Sequence, residues 1–232
     1  MTDTTPREAP GNGIDSRHLL LVGAGPGLGV AVARRSAQGG HRVTLVARRT
    51  DSLGRLTSDL ADTGADIDTI SADASDPEDL HVRLGAIYRG NGAPGLIVYN
   101  AVMRLRTISS ARAWPTSRRL TRLTSSAPSL SHRVAAPAMR AAGIGTILVT
   151  GGGFADHPIP GLATVSLGKA ALRSAATMPG ADLMQDGIRV ATLTIAGRIV
   201  ADTPFAPERI AERYWDVVHS DEPWQPEYRF TG

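Results

Sequence analysis

The stretch Leu19-Leu20-Leu21-Val22-Gly23-Ala24-Gly25-Pro26-Gly27-Leu28-Gly29 decides the fold. An apolar run closed by glycines passes directly into helical spacing over Leu28–Gln38, and Gly39-Gly40 ends the helix. Strand, glycine turn and helix in that order place backbone amides and the positive end of a helix dipole just beyond a strand's carboxyl end. A pyrophosphate needs that combination, with no side chain to obstruct it. The turn therefore predicts a dinucleotide site at Gly23, Gly25, Gly27, Leu28 and Gly29.

Outward from this turn the same alternation repeats. Arg17–Gly23 reads as the first strand, His41–Ala47 as the second, a polar helix covers about Asp51 to Thr63, and Asp66–Ala72 makes a third strand. Asp76 is a helix cap with Pro77 at the first position, and that helix should reach about Arg89. Gly95–Asn100 is a fourth strand, and a long irregular-to-helical stretch separates it from a fifth at Gly145–Thr150. A helix over Leu162–Thr177, a sixth strand at Ile188–Ile195, a helix near Pro207–His219 and a short strand near Glu227–Phe230 complete the pattern. Strands alternating with helices predict an α/β, Rossmann-type doubly wound, mainly parallel sheet with helices on both faces, binding ligands outside the strands' carboxyl ends.

Composition bounds the rest. The chain of 232 residues suits one core, shows no repeat or linker, and reads as a single domain over residues 17–232 behind a flexible polar tail at 1–16. That tail has no apolar signal core, no run is long enough for a bilayer, and there is no cysteine, which together predict a cytoplasmic protein with no membrane partner. The net charge is +3, and the one basic concentration, Arg104, Arg106, Arg112, Arg118, Arg119 and Arg122, lies in no recognisable nucleic-acid module. It reads as a solvated or substrate-facing segment, so no nucleic-acid partner is expected. No His, Asp and Glu cluster has ligand spacing, so no metal is expected either.

Gly23, Gly27 and Gly29 have the Gly-x-x-x-Gly-x-Gly spacing of the short-chain dehydrogenase/reductase family, which the chain resembles from about Arg17 to Gly197. The family's usual threonine before the first glycine is Val22 here. The second strand ends in Ala47-Arg48-Arg49, without the carboxylate that would accept from a ribose 2′-hydroxyl, and a guanidinium there matches a 2′-phosphate. NADP(H) is the expected cofactor, with Arg48 on its phosphate. The resemblance further implies that Asp73 and Ala74 contact adenine, that Asn100-Ala101 is the family's Asn-Ala-Gly with Val102 for glycine, and that Gly197 and Ile199 line the cofactor.

In this family a Tyr-x-x-x-Lys pair follows the fifth strand, where the ammonium lowers the phenol's pKa and holds the nicotinamide ribose. In Val165-Ser166-Leu167-Gly168-Lys169 the lysine is present and the tyrosine is valine. The family's serine falls on Gly152 and its asparagine near Thr124, so three of the four catalytic positions are substituted. Lys169 is the one lysine among 25 basic residues, which suits a contact that a planar guanidinium cannot make.

The candidate catalytic residues are thus Lys169, His157, Ser166 and Gly152, the last through the amides of Gly151–Gly153 acting as an oxyanion hole. Tyr99 alternates away from the site into the core. Two function classes follow: an NADP(H)-dependent oxidoreductase acting on an activated carbonyl, enone or imine, and a non-redox protein, either isomerase/cyclase-like or binding NADP(H) without turnover. The resemblance implies a homodimer or homotetramer packed through the helices flanking the fifth strand, with Pro128 in the first of them.

Overall fold

The computed structural model describes residues 13–101 and 136–232. Thr124, Pro128 and the arginines at 104–122 lie outside the described residues. Among the described residues seven strands, β1 (Ile14–Val22), β2 (Arg42–Ala47), β3 (Ile67–Ser71), β4 (Ala93–Tyr99), β5 (Gly145–Thr150), β6 (Ile188–Ile195) and β7 (Glu227–Phe230), form one sheet in the order β3-β2-β1-β4-β5-β6-β7. Every pairing is parallel. The helices are α1 (Leu28–Gln38), α2 (Thr50–Asp59), α3 (Pro77–Asn91), α4 (Ala136–Ala142), α5 (Ala163–Gln185) and α6 (Pro207–His219).

Strand side chains alternate between two cores, as a two-residue period requires of a sheet covered on both sides. Leu20, Val22, Ile97, Tyr99, Ile147 and Val149 pack with Leu80 and Leu84 of α3, Met139 of α4 and Leu172 of α5. Leu19, Leu21, Val98 and Leu148 turn the other way, against Val32 of α1, Leu53 of α2 and Ile210 of α6. Tyr99 is in the first core, as its register predicts, and its hydroxyl donates to the Ala74 carbonyl at 3.5 Å.

Three boundaries differ most from expectation. β1 begins at Ile14, so residues 14–16 belong to the sheet and not to a tail: Ile14 pairs with Ala93 and Asp15 with Pro94 before a register shift ahead of Leu19. α2 stops at Asp59, and Ala61–Thr63 is a separate 3-10 turn. α5 runs to Gln185, through Pro179-Gly180, because Leu183 in its last turns packs into the same core as Leu172 and Ala176. The α3 cap is as expected, with Pro77 in the first turn and the Asp76 carboxylate accepting from the Asp79 amide at 3.2 Å.

At the amino end of the sheet His18 is fully buried, with Nε2 2.7 Å from Thr44 Oγ1. Burial pushes its pKa down to about 4, helped by the Arg42 guanidinium and opposed by Asp15, Asp68 and Asp66. A folded-state pKa below the unfolded value of 6.5 means that the unfolded chain binds the proton first as pH falls. The stability from neutral His18 is complete above pH 6.5 and declines toward pH 4, by roughly 3 kcal/mol over that window. Urea unfolding at steps across this range should show the decline, and His18→Gln, which still reaches Thr44 but does not titrate, should flatten it. An unchanged slope in that variant would place the acid sensitivity elsewhere.

Candidate functional site

The strand order reverses between β1 and β4, and the glycine turn emerges at that point. Gly23 has φ +87°, and a Cβ there would lie 2.5 Å from the Ala101 amide nitrogen. The ends of β1 and β4 therefore approach too closely for any side chain. The Gly23 and Ala24 amides both donate to the Val46 carbonyl at 2.9 Å, and Asn100 Nδ2 donates to the Gly23 carbonyl at 3.1 Å. The side chain of Asn100 thus acts on the turn itself, latching it to β4.

Beyond Gly23 the turn opens. A Cβ on Gly25 or Gly27 would meet nothing within 4 Å. Gly27 caps α1 without a side-chain hydrogen bond, no acid occupies the first turn, and the Leu28 side chain is buried beneath. α3, by contrast, is closed by its Asp76 carboxylate. An uncapped helix start beside a bare turn is a place for an anion. The residues present fit a dinucleotide pyrophosphate.

Around this turn the other expected contacts fall at the same ends of neighbouring strands. Arg48 follows β2, is exposed, and makes no ion pair among the described residues. Asp73 follows β3, where its carboxylate accepts from the Ser75 amide at 2.9 Å and the Ser75 hydroxyl at 2.8 Å, while Ala74 is buried below Tyr99. Gly197 and Ile199 follow β6: the Phe205 ring occupies the space a Cβ on Gly197 would need, and Ile199 is exposed.

At the end of β5 lies the lysine. Lys169 is only 8 % exposed, and its Nζ donates to the Thr150 carbonyl at 2.6 Å. The Thr150 hydroxyl points across the sheet, 2.6 Å from the phenol of Tyr214 on α6, whose own pKa burial pushes up. Gly151 is crowded by Thr192 and Thr194, whereas a Cβ on Gly152 would find Cε and Cγ of Lys169 at 3.5 Å, an ordinary contact. Gly152 and Lys169 are therefore neighbours, and the space beside the lysine stem would admit a Cβ that glycine does not carry. Val165, one turn before Lys169, is buried and apolar.

The remaining two candidates stand differently. Ser166 Oγ donates to the Leu162 carbonyl at 3.2 Å and accepts from the Ile159 amide at 3.3 Å, so its hydroxyl proton serves the 3-10 turn at Pro160–Leu162. His157 is exposed, and its amide donates to the Gly153 carbonyl at 2.9 Å. What sequence reasoning missed is its neighbour. The Asp156 carboxylate receives Arg173 of α5 at 2.8 Å and Arg229 of β7 at 2.5 Å, and hydrogen bonds from Arg173 first and Arg229 second hold its carboxyl down at about 2. Arg173 also faces Glu227, which accepts from Thr194. No local signal joins residues so far apart in the chain.

The short chain dehydrogenase profile matches residues 17–211, which spans both the glycine turn and the lysine helix. The chain belongs to the short-chain dehydrogenase family. Its fold is similar to that of L-sorbose reductase from Gluconobacter frateurii, solved with NADPH and L-sorbose, with a TM-score of 0.81 at 21% identity over 95% of this chain and 97% of that one. It is also similar to an NADH-dependent reductase solved with NAD, with a TM-score of 0.76 at 18% identity over 94% and 96% of the two chains. In sequence, a putative ketoacyl reductase of granaticin polyketide synthesis from Streptomyces violaceoruber is 34% identical over 82 residues, 35% of this chain and 30% of that protein. The matched segments span between 30% and 64% of the length of the curated relatives. Among the described residues no helix is long and apolar enough to cross a membrane, and no three metal-ligating side chains converge.

Two glycines of the turn should respond differently to alanine. Gly23→Ala meets backbone at a strained φ and should cost about 2–4 kcal/mol of unfolding free energy. Gly25→Ala meets no protein atom and should leave thermal stability near that of the parent while weakening dinucleotide binding. Thermal melts with and without NADPH check both, and equal melting losses would contradict the division of roles.

Proposed function

We propose that the protein is an NADP(H)-dependent oxidoreductase of divergent short-chain type acting on an activated carbonyl, enone or imine. The observation that carries this reading is the cradle at the β1–β4 switch point: open Gly25 and Gly27, the uncapped start of α1, exposed Arg48 after β2 and Lys169 at the end of β5. In this reading the amides at the α1 start hold the pyrophosphate, Arg48 takes the 2′-phosphate, Asp73 and Ala74 border the adenine, and Lys169 holds the nicotinamide ribose. Gly197 and Ile199 close the nicotinamide end. The dinucleotide supplies the reducing equivalent when bound, and the chain's own groups bind it, orient it and exclude water from Lys169.

An activated substrate follows from the missing hydroxyls. A positioned general acid is worth about 10²–10⁴ in rate, and neither Val165 nor Gly152 provides one. A conjugated or already polarised acceptor needs less proton assistance than a simple ketone, and the Gly151–Gly153 amides would stabilise developing oxyanion charge. The same two substitutions favour the second reading, an isomerase/cyclase-like enzyme or a binder of NADP(H) without turnover. Stoichiometric NADPH consumption separates the two.

The exposed face of α5 supports a homo-oligomer, since Leu167 and Met178 stand out to solvent, Met178 at 72 %, among the small residues Ala170, Ala171, Ser174 and Ala181. A cytoplasmic protein with a small-molecule substrate fits this reading. Calorimetric titration should give tight NADPH binding and weak NADH binding. Arg48→Ala should weaken NADPH by about 10-fold or more, the scale of one charge-assisted contact, and leave NADH nearly unchanged. Equal losses for both would remove the basis for NADP(H).

A further inference from the structure

Resting on the oxidoreductase reading, we propose that Lys169 is itself the proton donor of the reduction, serving as catalytic acid at the place where a hydroxyl is absent. Both positions expected to carry hydroxyls flank this side chain and have lost them: Val165 sits one helical turn before it, and Gly152 leaves empty the space against its methylenes, where an added Cβ would lie 3.5 Å from Cε. Two hydroxyls of this corner are committed elsewhere. Thr150 Oγ1 is bonded across the sheet to Tyr214, and Ser166 Oγ gives its proton to Leu162. The ammonium is held at the carboxyl end of β5 by its 2.6 Å bond to the Thr150 carbonyl. An ammonium carries three N–H donors, so it can hold that carbonyl and a ligand oxygen together.

The choice of residue agrees. Among 25 basic residues this is the one lysine, and lysine releases a proton under conditions in which arginine does not. In the step, hydride from NADPH forms the new C–H bond at the acceptor carbon and the C=O π pair moves to oxygen. The oxygen takes a proton from Lys169 Nζ, breaking that N–H bond, and the amine is reprotonated from solvent once the product has left. NADPH is oxidised and the carbonyl compound reduced, with no further reactant needed.

The test uses the full chain with Lys169→Arg and Lys169→Met, each checked for folding by circular dichroism. Arginine keeps a cation and donors for Thr150 but not the compact ammonium that reaches the ribose. Lys169→Arg should therefore bind NADPH more weakly and, at saturating NADPH, lose about 10²–10⁴ in kcat for reduction of 2,3-butanedione or 2-cyclohexenone. A readout without turnover uses 4-nitrophenol, whose phenolate stands for the developing oxyanion. With NADP bound, the parent should hold its yellow phenolate form to lower pH than Lys169→Met does. Parent-like turnover by Lys169→Arg, or identical phenol titrations in parent and Lys169→Met, would overturn the assignment and leave Lys169 a cofactor anchor. A parent that binds NADPH but reduces neither carbonyl would overturn the oxidoreductase reading itself, a failure distinguishable because the parent, and not only the variant, is silent.

Discussion

Where the strand order reverses, β1 and β4 run side by side to their ends at a separation that excludes even a methyl group. The Gly23 position faces the Ala101 backbone at 2.5 Å for an added Cβ. Glycine at a left-handed φ is the solution, and three hydrogen bonds then fix the turn: two amides on the Val46 carbonyl and the Asn100 amide on the Gly23 carbonyl. The entry direction of α1 depends on that geometry. So do the open backbone at Gly25 and Gly27 and a helix start that no side chain caps.

The second end of the site is organised by charge rather than by sterics. Lys169 is buried against β5 and anchored to the Thr150 carbonyl, while the Thr150 side chain is held from the opposite face by Tyr214. One residue of β5 is thus gripped through both its backbone and its side chain, which limits drift of the ammonium. One helical turn further along α5, Arg173 joins Asp156, Arg229 and Glu227 in a cluster that ties the segment after β5 to the edge strand β7. Several charges sharing partners outperform an isolated surface pair, for which the gain is commonly below about 1 kcal/mol. With the Asp156 carboxyl held at about 2, this tie is intact across ordinary pH.

Family membership and retained chemistry are separate matters here. Lys169 stands beside the isopropyl group of Val165 and the bare backbone of Gly152, and neither offers a hydroxyl. A fold supplies the place for a reaction, and the side chains in that place decide which reaction it is. At this site the deciding atoms are one ammonium, a set of backbone amides and an unfilled space over Gly152.

The sequence by itself determined the architecture, the location of the glycine turn and the pairing of Val165 with Lys169 on one helix face. These depend on short-range patterns: alternation by two, recurrence at three to four, glycine at fixed offsets, and a proline after a capping aspartate. β5, β6, β7 and α6 match their expected limits to the residue because clear breakers bound them. Only the tertiary structure decided the start of β1, where polar Asp15 is carried into the sheet by pairing with Pro94 of β4, and the length of α5, where burial of Leu183 outweighs Pro179-Gly180. It also decided that Asn100 latches Gly23 and that Asp156 meets Arg229. Those outcomes depend on contacts between residues distant along the chain, whose energies exceed local propensity and leave no trace in the spacing of neighbouring residues.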